Sequence, residues 1–431
     1  MSVNAASRSE QGHLTPRTAT TVFLIFAFSY FLSALVRGVT ATLAPAFTAE
    51  FGLTAGDLGL LAGAYFLGFA ATQLPLGSAL DRLGPKRVLL ALLAVAVLGC
   101  AAFALARDFI CLALARALIG VGVSACLMAP LTAFRHGFGD VAQLRANSWM
   151  LMSGSMGMVA STLPVQWLLP LLGWRGLFWV IAAAIGLAMM AIARFVPVDV
   201  RRTVEPEIEP VGSAGNAARA PGYAEVWRHP TFVRFAPLGF FHYGGLIAVQ
   251  SLWAGPWLVE VCGWTPQQAA QGLFVVNVAM LLSFMAWGSV VPRLFARGWT
   301  AQRLIALGAP VSIVALIVAL LLGQQATAWV WVLFCAGCSV VSLSQPAVGL
   351  AFPTALAGRA LSAYNLLIFL GVFALQWGIG LSIDLLRAMG WNMLSAYRGG
   401  FALLTGCCVF SYLWFLWRAD HTTVPKLNQP P

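Results

Sequence analysis

Hydrophobic residues along this chain fall into long continuous runs that short polar stretches separate. A run of about 20 apolar residues is the length that an α-helix needs to cross a lipid bilayer. The pattern predicts twelve spans, over residues 20–47, 55–80, 86–106, 109–134, 145–170, 174–196, 231–258, 267–292, 301–323, 326–352, 359–385 and 397–417. Because the runs are continuous and do not alternate with period two, they favour an all-α membrane protein over a membrane β-barrel.

Composition supports a chain that is embedded in a lipid bilayer. Of the 431 residues, 60% are hydrophobic and only 9% are charged. A soluble domain averages about 25% charged residues, so this chain could not cover its surface in water. The net charge of +11 could indicate nucleic-acid binding. Basic residues of membrane proteins mostly mark cytoplasmic loops, however, and we therefore expect no nucleic-acid partner.

The polar segments divide the chain into two halves of six spans each. The predicted parts are an N-terminal tail (1–19), a six-helix bundle (20–196), a linker (197–230), a second six-helix bundle (231–417) and a C-terminal tail (418–431). Of the 25 Lys and Arg residues, 19 lie on the side of the tails and the linker, and four lie on the other side. The positive-inside rule therefore predicts that both termini and the linker are cytoplasmic.

Short matches recur between the two halves in the same order. The sequence GSALDRL at 77–83 parallels GSVVPRL at 288–294, and GLT at 52–54 parallels GWT at 263–265. RANS at 145–148 likewise parallels RALS at 359–362. Each match is short, but each falls at an equivalent point of a six-span half. Two parallel six-span repeats joined by a linker are typical of secondary transporters.

The loop between the second and third spans reads GSALDRLGPKR. It resembles the loop motif of the major facilitator superfamily, G-x-x-x-D-R-x-G-x-[RK]-[RK]. The motif positions are filled by Gly77, Asp81, Arg82, Gly84, Lys86 and Arg87. RALIGVG, from Arg116 in the fourth span, resembles the second motif of the family. The resemblance implies twelve transmembrane helices in two pseudo-symmetric bundles, and transport of a small molecule by alternating access.

The loop motif suggests a contact that depends on the transport state. In the superfamily the Asp of this motif contacts the start of the eleventh span, which here is GRALSAY from Gly358. Since Pro292 stands where a second acid would lie in the repeat, we expect Asp81 alone to make such a contact. Gly77 is expected to let the second span approach a neighbouring helix closely. The alternative is that the loop serves only membrane insertion.

Two arginines lie inside predicted spans, Arg37 in the first and Arg116 in the fourth. A buried cation without a partner is costly, and no acidic residue lies at the middle of a span. An anionic substrate that accepts hydrogen bonds from Arg would satisfy this charge. For Arg116, the alternatives are a structural role or proton coupling. For Arg37, they are a pair with Asp57 or with a neighbouring carbonyl group.

Other polar or aromatic residues lie on helical faces that a central cavity would expose. The further candidates for substrate binding are Tyr65, Gln73, His242, Gln250, Trp253, Asn277, Asn365 and Gln376. Each could instead form a hydrogen bond between helices. His242 titrates near neutral pH unless its surroundings change its pKa, so it could carry a coupling proton or remain a neutral structural residue.

The sequence therefore predicts a secondary active transporter of the bacterial inner membrane for a small anionic organic solute, with proton coupling left open. We expect a monomer, no cofactor, no bound metal and no enzymatic activity, because no nucleotide-binding loop or catalytic cluster is found. The alternatives are a drug or metabolite exporter of the same fold, a sensor that transports nothing, and a copper importer. Copper is suggested only by Met150, Met152, Met156 and Met158, since thioethers bind Cu(I).

Overall fold

The computed structural model describes residues 15–197 and 223–418, and these residues form twelve long helical segments. The first six are α1 (Pro16–Phe51), α2 (Ala55–Ala71 and Gln73–Leu83), α3 (Pro85–Leu105), α4 (Phe109–Val123 and Met128–Gly137), α5 (Asp140–Ala160) and α6 (Leu163–Phe195). The other six are α7 (Pro230–Val261), α8 (Pro266–Ala296), α9 (Ala301–Leu322), α10 (Ala328–Leu350), α11 (Thr354–Ala388) and α12 (Met393–Trp417). A short helix, Tyr223–Arg228, precedes α7. The predicted tails and most of the predicted linker lie outside the described residues.

Length and hydropathy agree with an all-α membrane protein. Ten of the described helices are long and apolar enough to cross a membrane, and α2, which bends by 45° near Thr72, makes eleven. In α6, Gly173 has a φ of 64° and interrupts the helix. The part of α6 after Gly173 runs antiparallel to α3, because Trp174 contacts Phe103 and Lys86 contacts the Ala193 carbonyl. This break agrees with the predicted boundary between the fifth and sixth spans.

The sequence repeat between the two halves corresponds to helices that start with the same backbone geometry and the same cap. Gly52 and Gly263 both have a left-handed backbone, with φ of 61° and 69°. Two residues later, Thr54 and Thr265 each form a capping box with the side chain three positions on. Such a box satisfies backbone N–H groups that have no partner within the helix. The second helix of each half thus begins with the same local geometry.

The two halves approach closely where α2 crosses α11. Gly59 lies against the backbone carbonyl of Gln376, and Gly380 lies against that of Ala55. A Cβ atom at either glycine would overlap these carbonyl groups, so only glycine allows this approach. We call the end of the molecule that carries residues 52–57 and 384–392 the distal end. The end that carries residues 81–87 is the motif end.

Candidate functional site

Arg37 of α1 lies at the centre of a group of tyrosines. Tyr30, Tyr65 and Tyr243 lie around its guanidinium group, and its Cζ is 6.0 Å from the centre of the Phe69 ring. Arg37 is half-buried, and its Nε is buried without a hydrogen-bond partner among described residues. We call Arg37, Tyr30, Tyr65 and Tyr243 the Arg37 cluster. Since Tyr243 lies on α7, side chains from both halves of the chain contribute to it.

Aromatic rings from both halves lie beside the Arg37 cluster. The ring centres of Phe69 on α2 and Phe369 on α11 are 4.4 Å apart, and those of Phe66 and Phe369 are 6.2 Å apart. Tyr65 in turn contacts both Phe66 and Phe69. The site therefore combines one cationic group, several hydroxyl groups and an aromatic surface. These groups suit an organic molecule with an anionic head and an apolar part.

Arg116 of α4 lies behind the Arg37 cluster. Its side chain is 1% exposed, and its Nη2 donates a hydrogen bond to the Val36 carbonyl at 2.9 Å. Its Cζ is 5.1 Å from the centre of the Tyr65 ring, so it supports that ring from one side. Its Nε and Nη1 have no hydrogen-bond partner in the part of the chain that the structure describes. Arg116 thus contacts the residue before Arg37 and a tyrosine of the Arg37 cluster.

No carboxylate of the described residues neutralises either arginine. The expected alternative for Arg37, a pair with Asp57, is not formed. Asp57 instead accepts hydrogen bonds from the N–H and the hydroxyl of Thr54 at the start of α2. Among described residues an ion pair does join Arg175 to Glu50, away from the Arg37 cluster. The positive charge at the centre of the molecule is therefore available to an anion.

Four predicted amides already have partners within the protein. The Gln250 Nε2 donates to the Asn277 Oδ1 at 2.9 Å, which joins α7 to α8. The Asn365 Oδ1 accepts a hydrogen bond from Gln345 Nε2 at 3.0 Å, which joins α11 to α10. Gln73 donates to a carbonyl of its own helix at 3.2 Å. Substrate binding by these side chains stays a prediction.

Trp253 and Gln376 lie at the contact between α7 and α11. The Trp253 Nε1 donates to the Gln376 carbonyl at 3.1 Å, and the Gln376 Nε2 donates to Ser251 Oγ at 3.0 Å. Both side chains are fully buried. They lie beside Gly59 of α2, next to the close approach between the halves. The structure therefore places these two residues in helix packing and not in the Arg37 cluster.

His242 does not lie in the Arg37 cluster, although Tyr243 next to it does. Its Nε2 lies 2.7 Å from the Ser312 Oγ of α9, and the ring is fully buried. The reason is local: π-helical turns at Leu238–Tyr243, Val249–Trp253 and Trp257–Val261 interrupt α7. A π-helical turn holds more residues than an α-helical turn, so α-helical spacing does not predict which side chains of α7 share a face.

Sequence reasoning missed Tyr30 and Tyr243. The chain has only seven tyrosines, and three of them surround Arg37. Tyr30 precedes Arg37 by seven residues, so both lie on one face of α1. That spacing could have identified Tyr30. No pattern in the sequence of α7 distinguishes Tyr243, because its direction depends on the π-helical turns.

The methionines that suggested copper point in different directions. Met150 is fully buried, whereas Met156 is 53% exposed on another face of α5. Over the part of the chain that the structure describes, there is also no group of three His, Cys, Asp or Glu residues that could hold a metal. Nothing in this geometry favours copper as a substrate.

The loop motif has a structural role that the sequence did not indicate. Gly84 has a φ of 81° and turns the chain between α2 and α3. The Lys86 Nζ donates to the carbonyl groups of Ala193 at 2.8 Å and Val196 at 2.6 Å, and so caps the end of α6. Arg82 and Arg87 are exposed. Lys86 thus fixes the motif to the N-terminal half itself.

Two expectations for this loop do not hold in the structure. Asp81 is exposed and forms no hydrogen bond or ion pair with a described residue, so its expected contact with the start of α11 is absent in this conformation. The expected close approach at Gly77 is wrong, because no described atom outside its own helix turn lies within 4 Å of a Cβ built there. The bend near Thr72 gives Gln73–Leu83 a direction of its own, and Gly77 lies on its exposed side.

The sequence profile of the Major Facilitator Superfamily matches residues 26–376. The chain belongs to this superfamily. A probable sulfoacetate transporter of Cupriavidus necator is 25% identical over 288 residues, which are 63% of this chain and 65% of that protein. Uncharacterized MFS-type transporters of Mycobacterium tuberculosis are 28% identical over 203 residues, which are 46% of this chain and 29% of theirs. The matched region spans less than two thirds of each of these superfamily proteins.

Solved structures of the superfamily have the same fold. A bacterial homolog of the human lysosomal transporter Spinster, in an inward-facing and unoccupied conformation, has a TM-score of 0.71 at 19% identity. The match covers 94% of this chain and 98% of that one. A D-xylose–proton symporter has a TM-score of 0.72 at 13% identity, over 92% and 97% of the two chains. The chain is therefore a multi-pass membrane protein with the superfamily fold.

Proposed function

We propose that this secondary transporter moves a small organic anion, and that Arg37 binds the anionic group of the substrate. The observation that carries the proposal is the Arg37 cluster, in which a guanidinium group lies among three tyrosines and no carboxylate of residues 15–197 or 223–418 pairs with it. A cation within a membrane is stable only when an anion, a hydrogen-bond network or water accompanies it. A transported anion supplies such a partner during part of the cycle.

The chemistry of the cluster supports an oxyanion as the bound group. The planar guanidinium group of Arg37 can donate two parallel hydrogen bonds to a carboxylate or a sulfonate. Hydroxyl groups of Tyr30 and Tyr243 can donate further hydrogen bonds to the same oxygens, whereas the Tyr65 hydroxyl donates to the Ser33 carbonyl. The rings of Phe69 and Phe369 would contact the apolar part of the solute. The name of the relative from Cupriavidus necator, which specifies sulfoacetate, is in keeping with an anionic substrate.

The arrangement of the chain in the cell is part of the proposal. The predicted excess of Lys and Arg at the motif end supports a cytoplasmic location for that end, for both termini and for the linker. We infer a location in the bacterial inner membrane, and a division of the chain into bundles over 20–196 and 231–417. Since both halves of one chain contribute to the Arg37 cluster, we propose that a monomer transports the solute, with protons as a candidate coupling ion.

Binding to the purified protein tests the proposal. The unchanged chain should be stabilised against thermal unfolding by organic carboxylates or sulfonates, with sulfoacetate included in the panel, and not by organic cations. Arg37→Gln should remove this stabilisation. Arg37→Lys should weaken it by about tenfold or more, because Lys keeps the charge but cannot form two parallel hydrogen bonds. Arg107→Gln, which changes an exposed Arg at the distal end, is the matched control and should bind like the unchanged chain.

Two results would contradict the proposal. One is that organic cations stabilise the protein while no anion does. The other is that an anion stabilises Arg37→Gln and the unchanged chain equally. The thermal midpoint and the elution profile of each variant without solute show whether it folds. If Arg37→Gln does not fold, the comparison between Arg37→Lys and Arg107→Gln decides, and equal anion affinities would contradict the proposal.

A further inference from the structure

A carboxylate of the C-terminal half caps a helix of the N-terminal half at the distal end. The Asp384 Oδ1 accepts a hydrogen bond from the Ala55 N–H at 3.0 Å, and its Oδ2 accepts one from the Gly56 N–H at 2.7 Å. These are the first two residues of α2, whose N–H groups have no partner within the helix. The start of a helix also carries partial positive charge. Both oxygens of Asp384 therefore bind donors that favour an anion.

The backbones of α2 and α11 approach each other closely around this carboxylate. A Cβ at Gly56 would overlap the Asp384 carboxylate, and one at Gly59 would overlap the Gln376 backbone. Gly380, one turn before Asp384, faces the backbone of α2 in the same way. Glycines thus allow contact between the helices over successive turns, and Asp384 lies at the distal end of this contact. We call Asp384 with the N–H groups of Ala55 and Gly56 the distal contact.

The distal contact is not needed to start α2. Thr54 and Asp57 already form a complete capping box, in which Asp57 accepts from the Thr54 N–H at 3.1 Å and Thr54 accepts from the Asp57 N–H at 3.2 Å. A helix with such a box is stable at its start without help from another chain segment. What Asp384 adds is a connection between the two halves. Its loss should therefore change the arrangement of the halves more than the fold of either half.

We propose that the distal contact stabilises the conformation in which the distal end is closed, and that both hydrogen bonds must break each time the binding site opens there. Alternating access requires the two halves to separate at one end while they close at the other. The contact of α2 with α11 joins the halves at the distal end, so opening there must break it. This inference rests on alternating access in the superfamily and not on the identity of the substrate.

The surroundings of Asp384 hold other charged groups that would shape this equilibrium. A pocket of about 280 Å³ lies beside it and is lined by Glu260 of α7, Arg387 of α11 and Tyr397 of α12. Glu260 and Arg387 differ in sign and offset each other, which leaves Asp384 as the uncompensated charge of the pocket. The N–H groups of α2 remain the direct partners of Asp384. The strength of the distal contact should therefore depend mainly on the charge and shape of this one side chain.

A distance measurement across the distal end tests the inference. Spin labels are attached to Ala49→Cys at the end of α1 and to Met389→Cys after α11, where both side chains are exposed. The accessible native cysteines, Cys111, Cys262 and Cys407, are replaced by Ser. Pulsed electron paramagnetic resonance in lipid nanodiscs then gives the distance distribution. Asp384→Asn should raise the ratio of long to short distances by about tenfold, since charge-assisted hydrogen bonds are lost.

Asp57→Asn is the matched control. It changes a carboxylate at the same helix start, but its hydrogen bonds remain within α2. Its distance distribution should equal that of the unchanged chain. The inference would be overturned if Asp384→Asn gave the unchanged distribution, or if Asp57→Asn shifted it equally. Should Asp384→Asn fail to fold, Asp384→Glu keeps the charge but displaces it by one methylene. Asp384→Glu should then shift the distance distribution toward long distances by less than the tenfold change expected for Asp384→Asn. An unchanged distribution for Asp384→Glu would overturn the inference.

Discussion

Arg116 is buried and Arg37 is half-buried within the membrane-spanning helices, and their contacts indicate different roles. Arg116 is held by the Val36 carbonyl and the Tyr65 ring, so its position is fixed by the N-terminal half alone. Arg37 lies among tyrosines of both halves. A group with neighbours in both halves can respond to their separation, whereas a group held within one half cannot. We therefore expect Arg116 to position Tyr65 and α1, and Arg37 to contact the solute.

Arg116→Lys tests this positioning role. Lys keeps the charge but cannot both donate to the Val36 carbonyl and lie flat against the Tyr65 ring. Anion affinity should fall by about tenfold to a hundredfold, because a small displacement of binding groups is costly. Titration with the best anion of the panel measures the effect, and Arg107→Lys is the control. An unchanged affinity of Arg116→Lys, in a protein with an unchanged thermal midpoint, would contradict the positioning role.

At the residue scale the sequence predicted the charge of the site but not its full lining. Arg37 and Arg116 were identifiable because a cation within an apolar run is rare and costly. Tyr65 was found from its helical face. Tyr243 was not, because π-helical turns decide whether it or His242 faces Arg37, and no local sequence rule predicts such turns. The part of the site that no sequence pattern could have identified is therefore the part that depends on irregular backbone.

At the scale of the helix, local sequence signals predicted the structure, whereas a signal that depends on tertiary packing did not. GLT at 52–54 and GWT at 263–265 specify a left-handed glycine followed by a threonine cap, which is local chemistry, and the structure forms both capping boxes. Apolar run length predicted the spans for a similar reason, since the bilayer sets it. The prediction of a close helix approach at Gly77 was wrong because the surroundings of this residue depend on the bend of α2 near Thr72. Local rules predict how helices start, and tertiary packing decides what surrounds them.

Lys86 connects α3 to the end of α6 and should stabilise the N-terminal half. Its ammonium group donates to the last carbonyls of α6, which have no partner within that helix and carry partial negative charge. Lys86→Met should lower the free energy of unfolding by about 1 kcal/mol, a modest figure because the side chain is only half-buried. Thermal and denaturant unfolding in detergent measure this change.

Arg87→Met is the control for Lys86, since Arg87 is the exposed neighbour in the same motif. It should leave the free energy of unfolding within about 0.5 kcal/mol of the unchanged value. Lys86→Arg should retain most of the stability, because it can still donate to the same carbonyls. If Lys86→Met and Arg87→Met have equal effects, the loop motif does not stabilise α6 through Lys86.

At the scale of the whole molecule, α2 and α11 form a reciprocal pair. The two helices run in opposite directions, and each has an aspartate near the end that approaches the start of the other. Asp384, near the end of α11, caps the start of α2 in this structure. Asp81, near the end of α2, would cap the start of α11 as the superfamily motif implies, but here it is exposed. One carboxylate is therefore hydrogen-bonded while the other has no partner among the described residues, as expected for contacts that belong to opposite states.

This reciprocity predicts opposite effects of the two aspartates on one equilibrium. Asp384→Asn should favour opening of the distal end, because it weakens the closed state. Asp81→Asn should favour closure of the distal end, because it weakens the state in which the motif end is closed. In the double variant the two changes should largely cancel, since they act on the two ends of the same equilibrium and their sites are too far apart to interact directly. Pulsed electron paramagnetic resonance gives the distance distribution between spin labels at Ala49→Cys and Met389→Cys in each of the three variants. Equal shifts in the same direction for both single variants would show that the aspartates do not act on opposite states.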